Sequence, residues 1–181
     1  MQRENWPDAV RLHLAIASVG NSTLMMQSGK GRVARAQKFL ISEMSLKGLT
    51  GMNELAFAEF LNKKTEALSL KLLKPEDDQP NWGAARKVIN IFLRLCAMNK
   101  DLHLTFNLAS IEQFLEVPLD SQIVAKVDEK TGSKYAPKFR IKNLNPQLNQ
   151  KIQDAAMLLA NMENLNRYEL DVLYWNSQKH A

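Results

Sequence analysis

The sequence predicts a mainly α-helical protein, built as one well-buried domain or as two small helical lobes sharing a cleft. Three observations lead there. The chain has 181 residues at 45% hydrophobic content, enough for a sizeable core. Only seven glycines and six prolines punctuate it, which argues against an all-β or low-complexity chain. Apolar residues recur at spacings of three and four over most of its length.

Residues 6–19 read as a first helix, apolar at Ala9, Val10, Leu12, Leu14, Ile16, Ala17 and Val19, with Pro7 near its start and Gly20-Asn21-Ser22 as its stop. His13 on it reads as a half-buried polar residue rather than a catalytic base. Gln27-Ser28-Gly29-Lys30-Gly31-Arg32 forms a basic loop into a helix over 33–46. Thr50-Gly51-Met52-Asn53 separates that helix from one over 54–61, with another over 64–73. Residues 74–80 make a polar linker that delivers the chain to a turn at Trp82-Gly83-Ala84-Ala85.

After this turn Val88, Ile89, Ile91, Phe92, Leu93, Leu95 and Cys96 cover most of a helix, which is therefore largely buried. Its remaining stripe is Lys87, Asn90 and Arg94, expected to project into one common region. Ser110 with Gln113 has the spacing of a capping box for a short helix through about 116, and Pro118 bars continuation. Asp120 then stands where a new helix begins; there it can accept free backbone N–H groups and stay ionised beside the helix dipole. Beyond 124 the chain is strongly basic, with Lys126, Lys130, Lys134, Lys138, Arg140 and Lys142 interleaved with Tyr135 and Phe139, and a short hairpin or extended loop is expected. Asn145-Pro146 opens a helix over 147–163, and Asn164 is expected to cap a last helix over 165–177 that packs on the first.

Several function classes fall away. The basic loop lacks the G-x-x-x-x-G-K-S/T spacing of a phosphate loop, although Lys30, Arg32, Arg35 and Lys38 remain candidates for phosphate contact. A single cysteine, Cys96, excludes an internal disulfide framework and a four-cysteine iron–sulfur cluster. There is no nucleophile elbow, zinc-ligand cluster or paired-carboxylate motif, so no metal and no cofactor is expected. Neither a membrane-spanning run nor a basic-then-apolar leader is apparent, and a cytoplasmic monomer is expected. A net charge of +5 and a pI near 9.3 suit a polyanionic partner.

Two motifs together carry a family resemblance. Gly83-Ala84-Ala85-Arg86-Lys87-Val88-Ile89-Asn90 resembles the hairpin-to-helix passage of endonuclease III-type DNA glycosylases, and Val117-Pro118-Leu119-Asp120 resembles a passage of 8-oxoguanine glycosylases. Both families belong to the helix-hairpin-helix glycosylase superfamily. The resemblance implies a two-lobed helical fold, with the hairpin lobe at about 21–124 and a second lobe formed by about 1–20 with 125–181. It implies double-stranded DNA as partner, Lys87 and Asp120 flanking an extruded nucleotide, and base excision that leaves an abasic site.

Around that pair the reading places DNA contacts at Trp82, Gly83, Ala84, Ala85, Arg86, Arg94, Lys126, Lys138 and Arg140, and a base pocket at Asn90, Ser121, Gln122 and Trp175. The interval between Lys87 and Asp120 is longer than the family's, so residues 98–113 read as an insertion. A monofunctional enzyme using water is therefore weighed slightly ahead of one in which Lys87 attacks the sugar. A compact, divergent member could act on a modified base, such as a bulky modified cytosine in phage DNA, which would make it an antiviral defence enzyme. The contrasting class is a non-catalytic helical DNA-binding module that keeps the scaffold and needs no Asp120.

Overall fold

The computed structural model describes residues 5–24, 27 and 29–175, the last of these by its backbone only. Among them are eight α-helices and no strand: α1 (Trp6–Ala17), α2 (Arg32–Glu43), α3 (Glu54–Ser69), α4 (Trp82–Met98), α5 (Lys100–Thr105), α6 (Ser121–Thr131), α7 (Pro146–Glu163) and α8 (Leu170–Trp175). The mainly helical class is thus present.

Asparagine and aspartate start five of these helices by one device. The side chains of Asn53, Asn81, Asn99, Asp120 and Asn145 each accept a backbone N–H from the first turn, satisfying donors that the helix itself leaves free. At the other end, Gly132 closes α6 in the left-handed region at φ 74°, and Asn164 closes α7 at φ 54°. Asn164 therefore ends a helix rather than opening one. Asn166 takes the opening role in a capping box with Glu169 at a 3₁₀ turn before α8.

Two hydrophobic clusters organise the chain. The first gathers α1 to α5 around Leu40, Phe57, Leu61, Ile89, Phe92 and Leu102, and the second gathers α6 and α7 around Val117, Ile123, Val127, Ile152, Leu159 and Leu170. They divide at Glu116, between Leu115 in one and Val117 in the other. Helix α1 packs in the first cluster through Ala15, Val10 and Leu14, not with the C-terminal helices as expected. Its apolar face finds α2, α4 and α5 instead, and Trp6 Nε1 donates to Asp101 Oδ2 at 2.7 Å. Helix α8 packs on α6, leaving Val172 and Leu173 exposed.

Other boundaries differ from the sequence reading for local reasons. The two expected helices at 54–61 and 64–73 are the single α3, because Asn62-Lys63-Lys64 contains no breaker and Thr65 Oγ1 turns back onto the Leu61 carbonyl at 2.7 Å. The expected short helix at 110–116 is a pair of 3₁₀ turns, Leu108–Ser110 and Glu112–Phe114. Of the hairpin or extended loop expected past 124, no hairpin forms among the described residues: α6 runs on to Thr131, and a loop with 3₁₀ turns at Ala136–Lys138 and Ile141–Asn143 follows. Pro137 removes a ladder donor there, and Asp128 Oδ2 captures the Ala136 N–H at 2.7 Å.

Helix α4 is the spine that both clusters share, since it contacts α3, α1, α2 and the turn at Ile141–Asn143. The close approach of that turn depends on Gly83. An ideal Cβ built there would lie 1.9 Å from the Ile141 carbonyl oxygen and 2.8 Å from Leu144 Cβ, so no side chain fits.

Candidate active site

Lys87 and Asp120 meet in one cavity of about 240 Å³ at the junction of the two clusters. Its walls come from the end of α1 (Ala17, Ser18), the following connection (Thr23), one face of α4 (Lys87, Ile91, Arg94, Leu95), Pro118 with Asp120, and Asp171 on α8. The long interval between the two motifs does not separate them. Residues 98–113 fold as α5 and the 3₁₀ turns, bury Leu102, Leu108 and Ile111 in the first cluster, and return the chain to α4.

The segment that bears Asp120 is held rigidly. Gln153 on α7 clamps Val117 from both sides of its peptide, accepting the Val117 N–H at 3.2 Å and donating to its carbonyl at 2.8 Å. Arg167 donates to the carbonyls of Phe114 and Leu115 at 3.0 and 3.2 Å. Asp120 then caps α6 with one carboxylate oxygen, Oδ1, which accepts the N–H groups of Gln122 and Ile123 at 3.0 Å each. Oδ2 is left for other work, and the aligned dipoles of α6 favour a negative charge at this place.

Lys87 is the complementary group. Burial against the apolar wall lowers its pKa from the ordinary lysine value, and the negative charge of Asp120 opposes that only in part. Among the described residues no hydrogen bond or ion pair within 4.0 Å engages its ammonium. A lysine in this setting carries a larger fraction of free amine than an exposed one, as a nucleophile requires.

The polar stripe expected on α4 splits in two. At about 100° per residue Lys87 and Arg94 lie within about 20° of each other around the helix, whereas Asn90 lies about 60° from Lys87. Accordingly Lys87 and Arg94 line the cavity and Asn90 does not. Arg94 is largely buried and pairs with the buried carboxylate of Asp171, so it is a cavity residue rather than a surface phosphate contact.

Asn90 belongs instead to a buried polar cluster centred on Glu116. Arg86 forks onto that carboxylate, Nε to Oε2 at 2.8 Å and Nη2 to Oε1 at 2.7 Å. Asn90 and Asn149 donate to it at 2.9 and 3.1 Å, and Arg86 Nη1 reaches Asn62 and Thr65 on α3. Burial alone would raise the Glu116 pKa, but the charge and hydrogen bonds of Arg86, with Arg167 and Asn90, hold it below the usual carboxylate range. Glu116 had no signal in the sequence beyond its place before Val117-Pro118.

The expected phosphate-binding turn needs correction. Gly83, Ala84 and Ala85 are buried, the Ala84 N–H is already bonded to Asn81 Oδ1 at 3.1 Å, and the turn at Ile141–Asn143 covers Gly83. Arg86 is buried in its pair with Glu116, and Trp82 is half-buried with the Arg86 guanidinium 5.2 Å from its ring centre. Gly83, Ala84, Ala85 and Arg86 therefore offer DNA no phosphate-binding face, and Trp82 keeps only part of its surface open.

Lys138 and Arg140 are exposed beside that covering turn, and Lys126 on α6 pairs with Glu129 at 2.7 Å while lying over the Tyr174 ring. Ser121 and Gln122 are exposed on the first turn of α6, outside the cavity lining. The side chain of Trp175 lies outside the described residues. His13 is exposed rather than half-buried, and Cys96 is buried, with its thiol pushed up to about 12 by burial.

A larger groove of about 800 Å³ runs between α2 and residues 70–78, but it shares no residue with the Lys87–Asp120 cavity. It is an open trough in which Arg35 is already tied to the carbonyls of Lys30 and Lys71. The smaller cavity is the one that brings together the lysine and the helix-capping aspartate of the two motifs. Among the described residues no cluster of three or more histidine, cysteine, aspartate or glutamate side chains could hold a metal, and no helix is long and apolar enough to cross a membrane. No protein-family model matches the sequence, and no curated protein or solved structure matches it significantly.

Proposed function

We propose that the protein is a DNA glycosylase in which Lys87 is the nucleophile and Asp120 the charge-bearing partner. The observation that carries this reading is the meeting of a desolvated lysine and a helix-capping carboxylate in one cavity. The motif resemblance and the basic net charge of +5 add to it. That both groups line one cavity despite the long interval supports the lysine over water as the attacking group.

The chemistry follows from the two groups. An extruded nucleotide places its sugar C1′ between them. Once the bound nucleotide draws the two within hydrogen-bond reach, Asp120 takes a proton from Lys87, and its carboxylate until then stabilises the positive charge that grows on the sugar as the N-glycosidic bond lengthens. The amine lone pair forms the C1′–N bond, and the base leaves with the glycosidic electron pair and collects the proton that Lys87 gave up. Ring opening gives an iminium between Lys87 and C1′, and loss of a C2′ proton expels the 3′ phosphate and nicks the strand. Hydrolysis of the iminium returns Lys87.

The test uses duplex and phage DNAs of differing base modification, incubated with wild type and Asp120→Asn, with neutral and alkaline gels and mass spectrometry of released bases. Wild type should release a free base and leave neutral strand breaks, and Asp120→Asn should bind DNA while doing neither. DNA binding by both proteins with no base released by either refutes the enzyme and leaves the binding module.

A further inference from the structure

The cavity holds a second charge pair, contributed by two different helices. Arg94 stands two turns beyond Lys87 on the same face of α4, about 10 Å along the axis, and its guanidinium donates to a carboxylate oxygen of Asp171 on α8. Asp171 is buried, and Arg94 Nε is buried without an acceptor. Nε is closed to solvent, so the part of Arg94 that an entering group can meet is its terminal nitrogens, on a side chain that lines the cavity. Catalysis at Lys87 does not use this pair.

Its remaining hydrogen-bonding capacity is specific. With one Nη1 donor spent on Asp171, Arg94 keeps adjacent N–H groups on its two terminal nitrogens, and Asp171 keeps the carboxylate oxygen outside that bond. The matching edge therefore presents two adjacent acceptors and one donor. Cytosine has that edge in O2, N3 and the 4-amino group. Uracil and thymine alternate acceptor, donor and acceptor, so the fork finds no adjacent pair. Guanine's Watson–Crick edge offers two donors and needs both carboxylate oxygens, and its O6–N7 edge takes the fork but leaves Asp171 without a donor. Adenine has a single ring acceptor beside its amine.

Resting on the glycosylase reading, we propose that Arg94, oriented by Asp171, reads the base edge and selects cytosine-type bases, including those modified at C5, where the edge is unchanged. Lys87 addresses the sugar of the same nucleotide and Arg94 its far edge. Substituents at C5 do not enter the contact, so the pair tolerates them.

The experiment compares duplexes that differ only at that edge: 5-hydroxymethylcytosine against 5-hydroxymethyluracil, with 5-methylcytosine and 8-oxoguanine duplexes and a preformed abasic site alongside. Wild type should release a cytosine-type base at least about 100-fold faster than its uracil-type counterpart. In Arg94→Lys, which keeps a charge on Asp171 but loses the fork, the ratio should fall below about tenfold. Asp171→Asn should lower the ratio likewise, and circular dichroism reports whether each variant is folded. Preferential release of uracil-type or purine bases overturns the assignment, as does a folded variant that keeps the wild-type ratio. Cleavage of the abasic duplex with release of none of these bases overturns it too while leaving the Lys87 chemistry standing. Inactivity of wild type on the abasic duplex removes the reading beneath it.

Discussion

Replacing Glu116 by glutamine tests the architecture that brings the two motifs together. The change is nearly isosteric, so it opens no cavity, but it leaves the guanidinium of Arg86 buried opposite a neutral amide after losing a bidentate bond of 2.7 and 2.8 Å. Breaking one side of a buried ion pair costs about 3–5 kcal/mol. For a chain of this length that corresponds to a fall in Tm of about 6–20 °C, at about 2–4 °C per kcal/mol. Part of this loss depends on pH. The folded-state pKa of Glu116 lies below its unfolded value, so its contribution is complete above that unfolded value and disappears as the pH falls through it toward the folded one. Wild type should therefore lose stability on acidification through a term that Glu116→Gln lacks, and the two should converge at low pH. Urea unfolding followed by circular dichroism from pH 7 to pH 3 measures both quantities. A difference below about 1 kcal/mol at pH 7, or one that grows on acidification, refutes the role given to Glu116.

Other predictions follow from single contacts. Gly83→Ala should destabilise by about 1–3 kcal/mol, because the clash with the Ile141 carbonyl outweighs the roughly 1 kcal/mol that alanine adds to a helix, as read by urea titration. Lys87→Met should raise Tm near neutral pH while abolishing base release. The folded-state pKa of Lys87 is lowered, so the native state binds fewer protons there than the unfolded state, wild-type stability rises with pH through that window, and the advantage of the variant should shrink toward the ordinary lysine value. Asp120→Ala should lose about 1 kcal/mol of helix capping whereas Asp120→Asn keeps it, yet both should lose about 10²–10⁴-fold in base release. Cys96 should resist a thiol reagent in native buffer and react fully in denaturant, since its thiol is buried and its pKa is raised.

The sequence revealed what depends on short-range rules. Apolar spacing located α1, α4 and α7, and the polar residue before each apolar run located the Asp120 and Asn145 caps. Lys87 and Asp120 stand in two short motifs and line one cavity. What stayed hidden depends on contacts between distant segments. The burial of Arg86 is set by Glu116, thirty residues away, and a motif that reads as an exposed basic turn gives no sign of that partner. Gly83 reads as a hairpin glycine, but its small size serves the approach of residues 141–144. Arg94 and Asn90 look equivalent on a stripe until a difference of about 40° around the helix sends one to the cavity and the other to the core.

In the proposed reaction Lys87 attacks the sugar of an extruded nucleotide beside Asp120. Borohydride reduction during incubation with abasic-site DNA, followed by peptide mapping of any covalent adduct, tests it most directly. One adduct is expected, on Lys87, lost in Lys87→Met and strongly reduced in Asp120→Asn. An adduct on another lysine, or none while the protein remains bound to the DNA, would contradict it.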